Sequence, residues 1–186
     1  MLKSKVNLSR KNVGSMFDRI APRYDLLNRL LSGRRDVAWR KKLATQINKD
    51  KPLRILDLAT GTGDLLFTIM NSHKNIIQGI GIDISPQMLE RGIQKLEKKS
   101  YFEKVIFQSG DAHTIPLESE SVDVVTIAFG IRNVEDYEKG LEEIYRVLKV
   151  GGKVLILEFS MPSEGIFRTL YTWYFRKILP KVGSFI

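Results

Sequence analysis

Short apolar runs rich in β-branched residues alternate with helical patterns along the chain from Leu53 onward. The runs predict five strands, at residues 53–58, 77–83, 104–110, 122–129 and 153–159. The patterns between them predict helices at residues 64–72, 86–99 and 136–149. Strands that alternate with helices favour an α/β fold of the Rossmann-like kind, a mostly parallel sheet with helices on both faces.

The ends and faces of these helices have their own signals. Ser85 is a natural N-cap, and Pro86 follows it at the first helical position. The third helix is expected to end at the pair Gly151 and Gly152. Its spacing predicts one apolar face, which should pack on the sheet, made of Leu141, Ile144, Tyr145 and Leu148.

Ahead of the sheet, residues 12–48 are predicted to be helical, with breaks around Pro22 and around Ser32 and Gly33. We therefore expect a helical lid over residues 1–50, a Rossmann-like core over 51–162 and a C-terminal helix over 163–186. Because βαβ connections are right-handed, the first three strands should follow one another outward in one direction. A ligand then lies at the carboxyl ends of the strands, beside the switch in strand order.

The composition limits the possible function classes. With 186 residues, 43% of them hydrophobic, the chain can form one packed domain. The absence of cysteine excludes disulfides and thiolate metal sites, and no metal site is predicted. No apolar run approaches the roughly 20 residues that a membrane-spanning helix needs, and no signal peptide is recognised. We therefore expect a soluble, cytoplasmic protein.

The net charge of +9 is concentrated near the N-terminus. Residues 1–54 contain 15 basic and 4 acidic side chains, whereas residues 55–186 contain 15 and 17. Such a basic segment can bind nucleic acid, anionic lipid or an acidic partner, or it can be a solvated pair of helices. It has no interleaved aromatic residues and matches no nucleic-acid-binding module, so we expect no nucleic-acid partner.

The loop after the first predicted strand, "DLATGTGD" (57–64), is rich in small residues. Gly61 and Gly63 allow positive φ angles and a close approach to a nucleotide-like ligand, with Thr62 between them. A dinucleotide fingerprint needs a third glycine where this chain has Leu66, and no Gly-Lys-Ser/Thr of a P-loop follows. The remaining pattern suits an amino-acid moiety, whose ammonium Asp57 or backbone carbonyls could hold. A purely structural βα turn is the alternative.

Two further acids follow the next two strands. Asp83 ends strand two, where a carboxylate can accept both hydroxyls of a ribose. Helix capping is its alternative role, but Ser85 already supplies the cap. Asp111 follows strand three and suits an adenine amino group, with Ala112 donating its backbone N–H. Three acids at three successive strand ends indicate one S-adenosyl-L-methionine site.

Three stretches give the chain a family resemblance, from about Val13 to its end. They are "MFDRIAPRYDLLNRLLSGRRDVAW" (16–39), "FGIRNV" (129–134) and "RVLKVGGKVLILEFS" (146–160). They resemble the ubiquinone/menaquinone biosynthesis C-methyltransferases, a class I S-adenosyl-L-methionine-dependent group. Three positions depart from the family pattern. Leu27 replaces a methionine in an expected core position, and Asp36 replaces a histidine on the expected substrate side. Ala128 replaces a serine, so only a backbone contact to the cofactor is expected there.

The resemblance implies methylation of a ring carbon in a demethylated polyprenyl quinol, either demethylmenaquinol or 2-polyprenyl-6-methoxy-1,4-benzoquinol. The residues expected to face the ring are Tyr24, Asp25, Asn28, Arg132 and Asn133. Arg132 is favoured as the partner of the developing oxyanion, since its pKa makes it a poor base; a strand-end salt bridge is its alternative role. Tyr24 has the alternative role of packing within the lid. His113 is expected to be a surface or capping residue, and His73 is given no role.

The resemblance also implies a longer protein. Family members usually continue for several tens of residues, through a final helix and a β-hairpin that completes the sheet. We therefore expect the hairpin to be missing and one edge of strand five to face solvent. Three functions stay open: the quinol C-methyltransferase, a class I methyltransferase acting on another small molecule, and a truncated, non-catalytic remnant.

A polyprenyl tail partitions into lipid, so the implied enzyme works at a bilayer surface, at the inner face of the membrane. The basic residues of the lid are candidates for that contact, namely Arg34, Arg35, Arg40, Lys41 and Lys42. Residues 165–181 mix five aromatic residues with basic ones and suit the lipid headgroup boundary. A homodimer face, a substrate lid and core packing are equally open for that segment.

Overall fold

The computed structural model describes residues 10–159, which form three N-terminal helices followed by five strands that alternate with three more helices. The N-terminal helices are α1 (Arg10–Ile20), α2 (Tyr24–Leu31) and α3 (Arg35–Ala44). The rest of the described chain is β1 (Leu53–Leu58), α4 (Asp64–Ser72), β2 (Ile76–Asp83), α5 (Pro86–Leu96), β3 (Val105–Ser109), β4 (Val122–Ala128), α6 (Tyr137–Val147) and β5 (Leu148–Leu157). The helix predicted within residues 163–186 lies outside the described residues.

The five strands form one parallel sheet in the order β3-β2-β1-β4-β5. The outward order of the first three strands confirms the prediction from right-handed connections. The strand order reverses between β1 and β4, so the carboxyl ends of these two strands open a crevice. The loops that follow β1, β2, β3 and β4 border this crevice.

The central strands β1, β2 and β4 are largely buried on both faces, as is usual in a parallel sheet, whereas the outer strands β3 and β5 are mostly half-buried or exposed. Along β1, Ile55 packs into the cluster formed with α3 and α4, whereas Leu56 and Leu58 pack into the cluster that includes α6. Helix α4 approaches β2 closely at Gly79, where a Cβ atom would lie 3.0 Å from Cδ1 of Leu66. In a dinucleotide fingerprint the third glycine allows the helix to pack closely on the sheet. Here Gly79, on the neighbouring strand, allows that close packing instead.

Helix α6 differs from its prediction in both face and end. Its buried residues are Gly140, Ile144 and Val147, while Tyr145 is 83% exposed and Leu141 is also exposed. The helix ends at Val147, and the two glycines predicted to end it lie inside β5. Six residues of β5 (148–153) lie opposite only three residues of β4 (122–124), so the register of the pairing shifts there. This irregularity contains Gly151, whose φ is +75°.

A cluster of ion pairs ties α2 and α3 to the core; its members, here called the lid ion cluster, are Asp25, Arg29, Asp36, Arg40, Asp64 and Lys95. Lys95 Nζ of α5 lies 2.8 Å from both Asp25 Oδ2 and Asp64 Oδ1. Asp36 is buried against Arg29 and Arg40. Burial alone would raise the pKa of Asp36, but Ser32 and the two arginines hold it below its usual value.

The structure corrects two expectations for the lid. Asp36 was expected on the substrate side, yet its carboxylate pairs with arginines inside the lid. Leu27 was expected in a core position, but it is only half-buried. Of the helices in residues 10–159, none is long and apolar enough to cross a membrane.

Candidate functional site

A cavity that opens to solvent lies at the carboxyl ends of β1, β2, β3 and β4, at the predicted place. Five of the predicted cofactor residues line it, namely Gly61, Asp83, Asp111, Ala112 and Ala128. On the other side it is closed by Val13 and Phe17 of α1 and by Tyr24 of α2. The N-terminal helices and the sheet therefore share one cavity.

The glycine loop adopts the predicted positive φ angles, +57° at Gly61 and +81° at Gly63. The two glycines face different ways. A Cβ atom on Gly61 would project towards Tyr24, 3.8 Å from its ring, on the cavity side. A Cβ atom on Gly63 would lie 2.7 Å from Phe107 and 3.0 Å from Phe67. Gly63 is therefore required by packing beneath the loop, and the expected approach of this glycine to the ligand is not what the structure shows.

Asp83 links the ends of β1 and β2. Its Oδ2 accepts a hydrogen bond from the backbone N–H of Gly61 at 2.7 Å, and its Oδ1 accepts one from the backbone N–H of Ser85 at 2.9 Å. Burial raises the pKa of Asp83, and these backbone donors oppose the rise. Ser85 itself caps α5 by accepting the N–H of Met88, as predicted. Asp83 thus presents a fixed carboxylate to the cavity.

Asp57 lies beneath the cavity rather than in its wall. It is 1% exposed, and its two oxygens accept hydrogen bonds from the hydroxyls of Thr60 and Thr126, each at 2.6 Å. Burial raises its pKa to about 6. The structure therefore does not bring all three predicted acids to one surface: Asp83 and Asp111 line the cavity, while Asp57 supports the glycine loop from below.

The loop after β3 places Asp111, Ala112 and His113 together in the cavity wall. His113 is 4% exposed, so it is not the surface histidine that the sequence suggested. Its Nδ1 contacts Asp111, and its Nε2 accepts the backbone N–H of Asp136, the N-cap residue of α6. His73, which was given no role, is also buried and lies 2.9 Å from the carbonyl oxygen of Ala44.

Of the residues predicted to face the acceptor ring, Tyr24 and Asn133 line the cavity. Burial raises the pKa of Tyr24, and the neighbouring Asn28 side chain offsets part of the rise. Tyr24 is therefore a neutral phenol at physiological pH. Asn28 stands next to Tyr24 on the same face of α2 rather than in the cavity wall itself.

The structure turns Asp25 and Thr62 away from this cavity. The Thr62 hydroxyl donates to Asp25 Oδ1 at 2.6 Å, and Lys95 Nζ lies within 2.8 Å of both side chains. These contacts belong to the lid ion cluster and its surroundings, on the opposite side of the glycine loop. They make Asp25 and Thr62 attachment points for the lid.

Arg132 makes the salt bridge that was its alternative role. Its Nη1 lies 2.8 Å from Glu158 Oε1, its guanidinium lies 5.5 Å from the ring centre of Phe159, and its side chain is 51% exposed. It belongs to the 3-10 turn Ile131–Asn133, the same turn that places Asn133 in the cavity wall. It does not line the cavity in this conformation.

Sequence reasoning missed several lining residues, which are Val13, Phe17, Ile84, Met88, Phe129 and Glu135. Phe129 has a φ of +58°, rare for a residue with a Cβ atom, and its ring stacks on Phe159 at 4.6 Å with Trp39 at its edge. Its place in "FGIRNV" was the one available signal. Among residues 10–159, no group of histidine and acidic side chains could hold a metal ion.

Comparisons with known proteins agree with this geometry. A "Ubiquinone/menaquinone biosynthesis C-methyltransferase UbiE" of Geotalea daltonii is 46% identical over 97% of this chain and 77% of its own length. A "Demethylmenaquinone methyltransferase" of Thermus thermophilus is 45% identical over 92% of this chain and 76% of its own length. In fold, the chain is similar to a SAM-dependent methyltransferase of Aquifex aeolicus, with a TM-score of 0.59 at 22% identity over 70% of each chain.

The strand order, with a cavity at the carboxyl ends of the strands, is that of the class I methyltransferase fold. Within this class, the sequence profile of the ubiE/COQ5 methyltransferase family matches residues 4–186, and the chain belongs to that family. The resemblance, the fold class and the cofactor inferred from the sequence are confirmed. The chain spans about three quarters of the length of these two relatives.

Proposed function

We propose that this protein transfers the methyl group of S-adenosyl-L-methionine to a ring carbon of a demethylated polyprenyl quinol. The observation that carries the proposal is the shared cavity, in which Asp83 and Asp111 of the core face Tyr24 of the lid and Asn133 of the loop after β4. The names of the two relatives support this acceptor class. The chain's own residues support a division into a cofactor side and an acceptor side.

The cofactor side fits the nucleoside well. We propose that Asp83 accepts the ribose hydroxyls, with room beside it at the bare backbone of Gly61, and that Asp111 and Ala112 bind the adenine edge. Ala128 contributes its backbone only. The bound cofactor supplies an electrophilic methyl group on a sulfonium. Asp57 acts indirectly, because it holds Thr60 of the same loop.

The acceptor side must hold the ring and stabilise its oxygen as the hydroxyl proton passes to water, since a quinol carbon is a weak nucleophile until then. After methylation the ring carbon gives up its own hydrogen as a proton and the ring oxygen is protonated again, so one proton is released in all. Tyr24 is protonated and can donate a hydrogen bond to a ring oxygen, as can the Asn133 amide. Arg132 is a permanent cation on the same turn as Asn133, and we propose that it stabilises the oxyanion after leaving Glu158.

The reaction is tested with methyl-labelled S-adenosyl-L-methionine and a short-chain demethylated quinol. We expect label to enter the ring carbon only under reducing conditions, because the quinone has no ring hydroxyl to ionise. A panel of phenols and amines separates the quinol enzyme from a methyltransferase acting on another small molecule. A folded protein that transfers label to none of them, yet binds cofactor in a calorimetric titration, indicates the non-catalytic alternative.

The cofactor site is tested with Asp83→Ala, which we expect to weaken cofactor binding more than tenfold because a charged acceptor of ribose hydrogen bonds is lost. Asp50→Ala is the matched control, since Asp50 is exposed and remote from the cavity. An unchanged dissociation constant for Asp83→Ala would show that the nucleoside lies elsewhere.

Arg132 is tested separately, with cofactor affinity measured beside turnover. Arg132→Ala should lower turnover and leave the dissociation constant of the cofactor nearly unchanged. Glu158→Gln, which frees the guanidinium from its salt bridge, should retain turnover. If Arg132→Ala weakens turnover and cofactor binding together, the arginine supports the fold of the loop instead.

We also propose contact with an anionic membrane surface through the lid. Arg34, Arg35, Lys41 and Lys42 are exposed, and two apolar side chains of α2, Leu26 and Leu30, are 57% and 59% exposed. Arg40 is removed from the predicted set because it is buried against Asp36. We expect sedimentation with phosphatidylglycerol vesicles, little with phosphatidylcholine vesicles, and loss of binding in Lys41→Glu/Lys42→Glu. Equal binding by that variant and the native protein would refute the contact.

A homodimer stays a prediction, and its candidate face at residues 165–181 lies outside the described residues. Light scattering of the purified protein over a hundredfold concentration range tests it. A constant monomer mass would contradict it.

A further inference from the structure

His113 is a buried imidazole in the cavity wall that the proposed chemistry does not use. Both of its ring nitrogens have partners. Nδ1 contacts Oδ1 of Asp111 at 2.5 Å, and Nε2 lies 3.1 Å from the backbone nitrogen of Asp136. The first partner follows β3, and the second lies between β4 and α6. The ring therefore bridges two loops that border the cavity.

The partners determine the tautomer of the ring. A backbone N–H can only donate, so Nε2 must accept from Asp136 and has no proton. The proton of the neutral ring is then on Nδ1, which donates it to Asp111. The backbone N–H of His113 donates to the same carboxylate oxygen at 2.9 Å. Two donors from one residue thus set the orientation of the Asp111 carboxylate.

The other contact fixes the far end of the acceptor-side loop. Asp136 caps α6, because its side chain accepts the backbone N–H of Lys139 at 3.1 Å. The loop that ends at this cap contains Arg132 and Asn133, a few residues earlier in the chain. A hydrogen bond between His113 and the cap residue holds this loop against the loop that contains Asp111.

We propose that His113 is a positioning residue that orients Asp111 towards the cofactor through Nδ1 and holds the Arg132–Asn133 loop towards the acceptor through Nε2. This inference rests on the proposed function, since it assumes that Asp111 contacts cofactor and that Asn133 contacts the acceptor. It follows that one substitution of His113 should remove the contact of Nδ1 with Asp111, and another should remove the contact of Nε2 with Asp136.

Two substitutions separate them. Asparagine is shorter than histidine, so His113→Asn places an amide N–H at the position of Nδ1 and nothing at the position of Nε2. His113→Gln places an amide oxygen at the position of Nε2 and no donor at the position of Nδ1. We expect His113→Asn to keep the cofactor dissociation constant within about threefold and to raise KM for the quinol about tenfold. We expect His113→Gln to weaken cofactor binding about tenfold and to change KM for the quinol much less.

A histidine with only a structural role would give a different pattern. Both variants would then change the cofactor dissociation constant and KM for the quinol by the same factor, or neither variant would change either constant. Either result overturns the proposal. His73→Gln is the matched control, because it makes the same substitution at the other buried histidine, away from the cavity, and should alter neither constant. Asp111→Ala distinguishes a failure of the proposed cofactor site from a failure of the proposed role of His113. If Asp111→Ala leaves cofactor binding unchanged, the assumed contact between Asp111 and the cofactor is wrong. If Asp111→Ala weakens cofactor binding and the His113 variants do not, only the role of His113 is wrong.

The tautomer is tested on the native protein, which removes any dependence on how the variants fold. The chain contains two histidines, so a long-range ¹H–¹⁵N correlation spectrum has two imidazole patterns, and His73→Gln assigns them. We expect His113 to be neutral, with the proton on Nδ1 and an unprotonated Nε2. A proton on Nε2 at neutral pH contradicts the hydrogen bond to Asp136 and overturns the proposal.

Discussion

Asp57 places a titratable carboxyl in the centre of the sheet, where burial raises its pKa from 3.8 to about 6. Between these values the folded state keeps a proton that the unfolded state has released, so the free energy of unfolding falls as the pH rises. Stability from this group is complete below pH 3.8 and is lost as the pH passes about 6. The loss is on the order of 3 kcal/mol.

Asp57→Asn removes that titration while keeping a side chain of the same shape. Between about pH 4 and pH 7, we expect the free energy of unfolding of this variant to rise by about 2–3 kcal/mol relative to that of the native protein, because only the native protein loses stability over this range. Urea unfolding at several pH values without cofactor measures the difference. Parallel curves for the two proteins across this range would contradict the raised pKa.

Gly63 and Gly61 differ in what surrounds them, although both have positive φ angles. Gly63→Ala places a Cβ atom against Phe107 and Phe67, so we expect a loss of about 2–4 kcal/mol in unfolding free energy from overpacking and backbone strain. In Gly61→Ala the Cβ atom makes only ordinary van der Waals contact with Tyr24, so this variant should lose only about 1–2 kcal/mol, but its methyl group enters the cavity and should weaken cofactor binding. Urea unfolding and calorimetry measure both effects; equal losses of stability would contradict the packing role of Gly63.

For single residues, the residue type predicted the backbone conformation better than the side towards which the residue faces. The two glycines were correctly expected at positive φ, because glycine favours it. The side that each faces depends on Phe107 and Tyr24, which are distant in the sequence. Likewise, Arg132 was predicted from a motif, but its partner Glu158 is 26 residues away and no local pattern pairs them.

Helix α2 shows how one element can serve two sites. Tyr24 faces the cavity, whereas Asp25 and Arg29, one and five positions later, face the lid ion cluster. Burial alone would raise the pKa of Asp64 at the centre of this cluster, but Lys95, Arg40 and Arg29 hold it below its usual value. The cluster therefore fastens the helix that presents Tyr24.

Lys95→Met removes the cation shared by Asp25 and Asp64. We expect hydrogen exchange of the α2 amides to become several times faster, while the global free energy of unfolding falls by about 1 kcal/mol or less, because these side chains are partly exposed. Lys149→Met is the matched control, since Lys149 pairs with Asp123 away from the lid. Faster exchange of α2 in both variants, or in neither, would contradict the fastening role.

Elements with strong local signals were predicted well, and those with competing signals were not. Helix α5 begins at Pro86 as its cap predicted, and α4 has the predicted bounds. In α6 two apolar faces compete at helical spacing, and the sheet selects the one that contains Gly140. The strand after it begins earlier than predicted because the glycine pair forms an irregularity in β5 instead of a helix end.

At the scale of the whole molecule, the cavity joins the basic N-terminal helices to the sheet, since Val13, Phe17 and Tyr24 line it together with Asp83 and Asp111. A ligand that binds there stabilises both parts at once. We expect S-adenosyl-L-homocysteine at about one hundred times its dissociation constant to raise the free energy of unfolding by about 2.7 kcal/mol. Hydrogen exchange should slow in α1 and α2 as well as in the loops after β1 and β2. In Asp83→Ala, with its affinity lowered tenfold or more, the same ligand concentration should add about 1.4 kcal/mol or less, and the slowing should be correspondingly weaker. Protection confined to the sheet and its loops would mean that the N-terminal helices do not close on the cofactor, and the acceptor would then have to reach the methyl group without Tyr24.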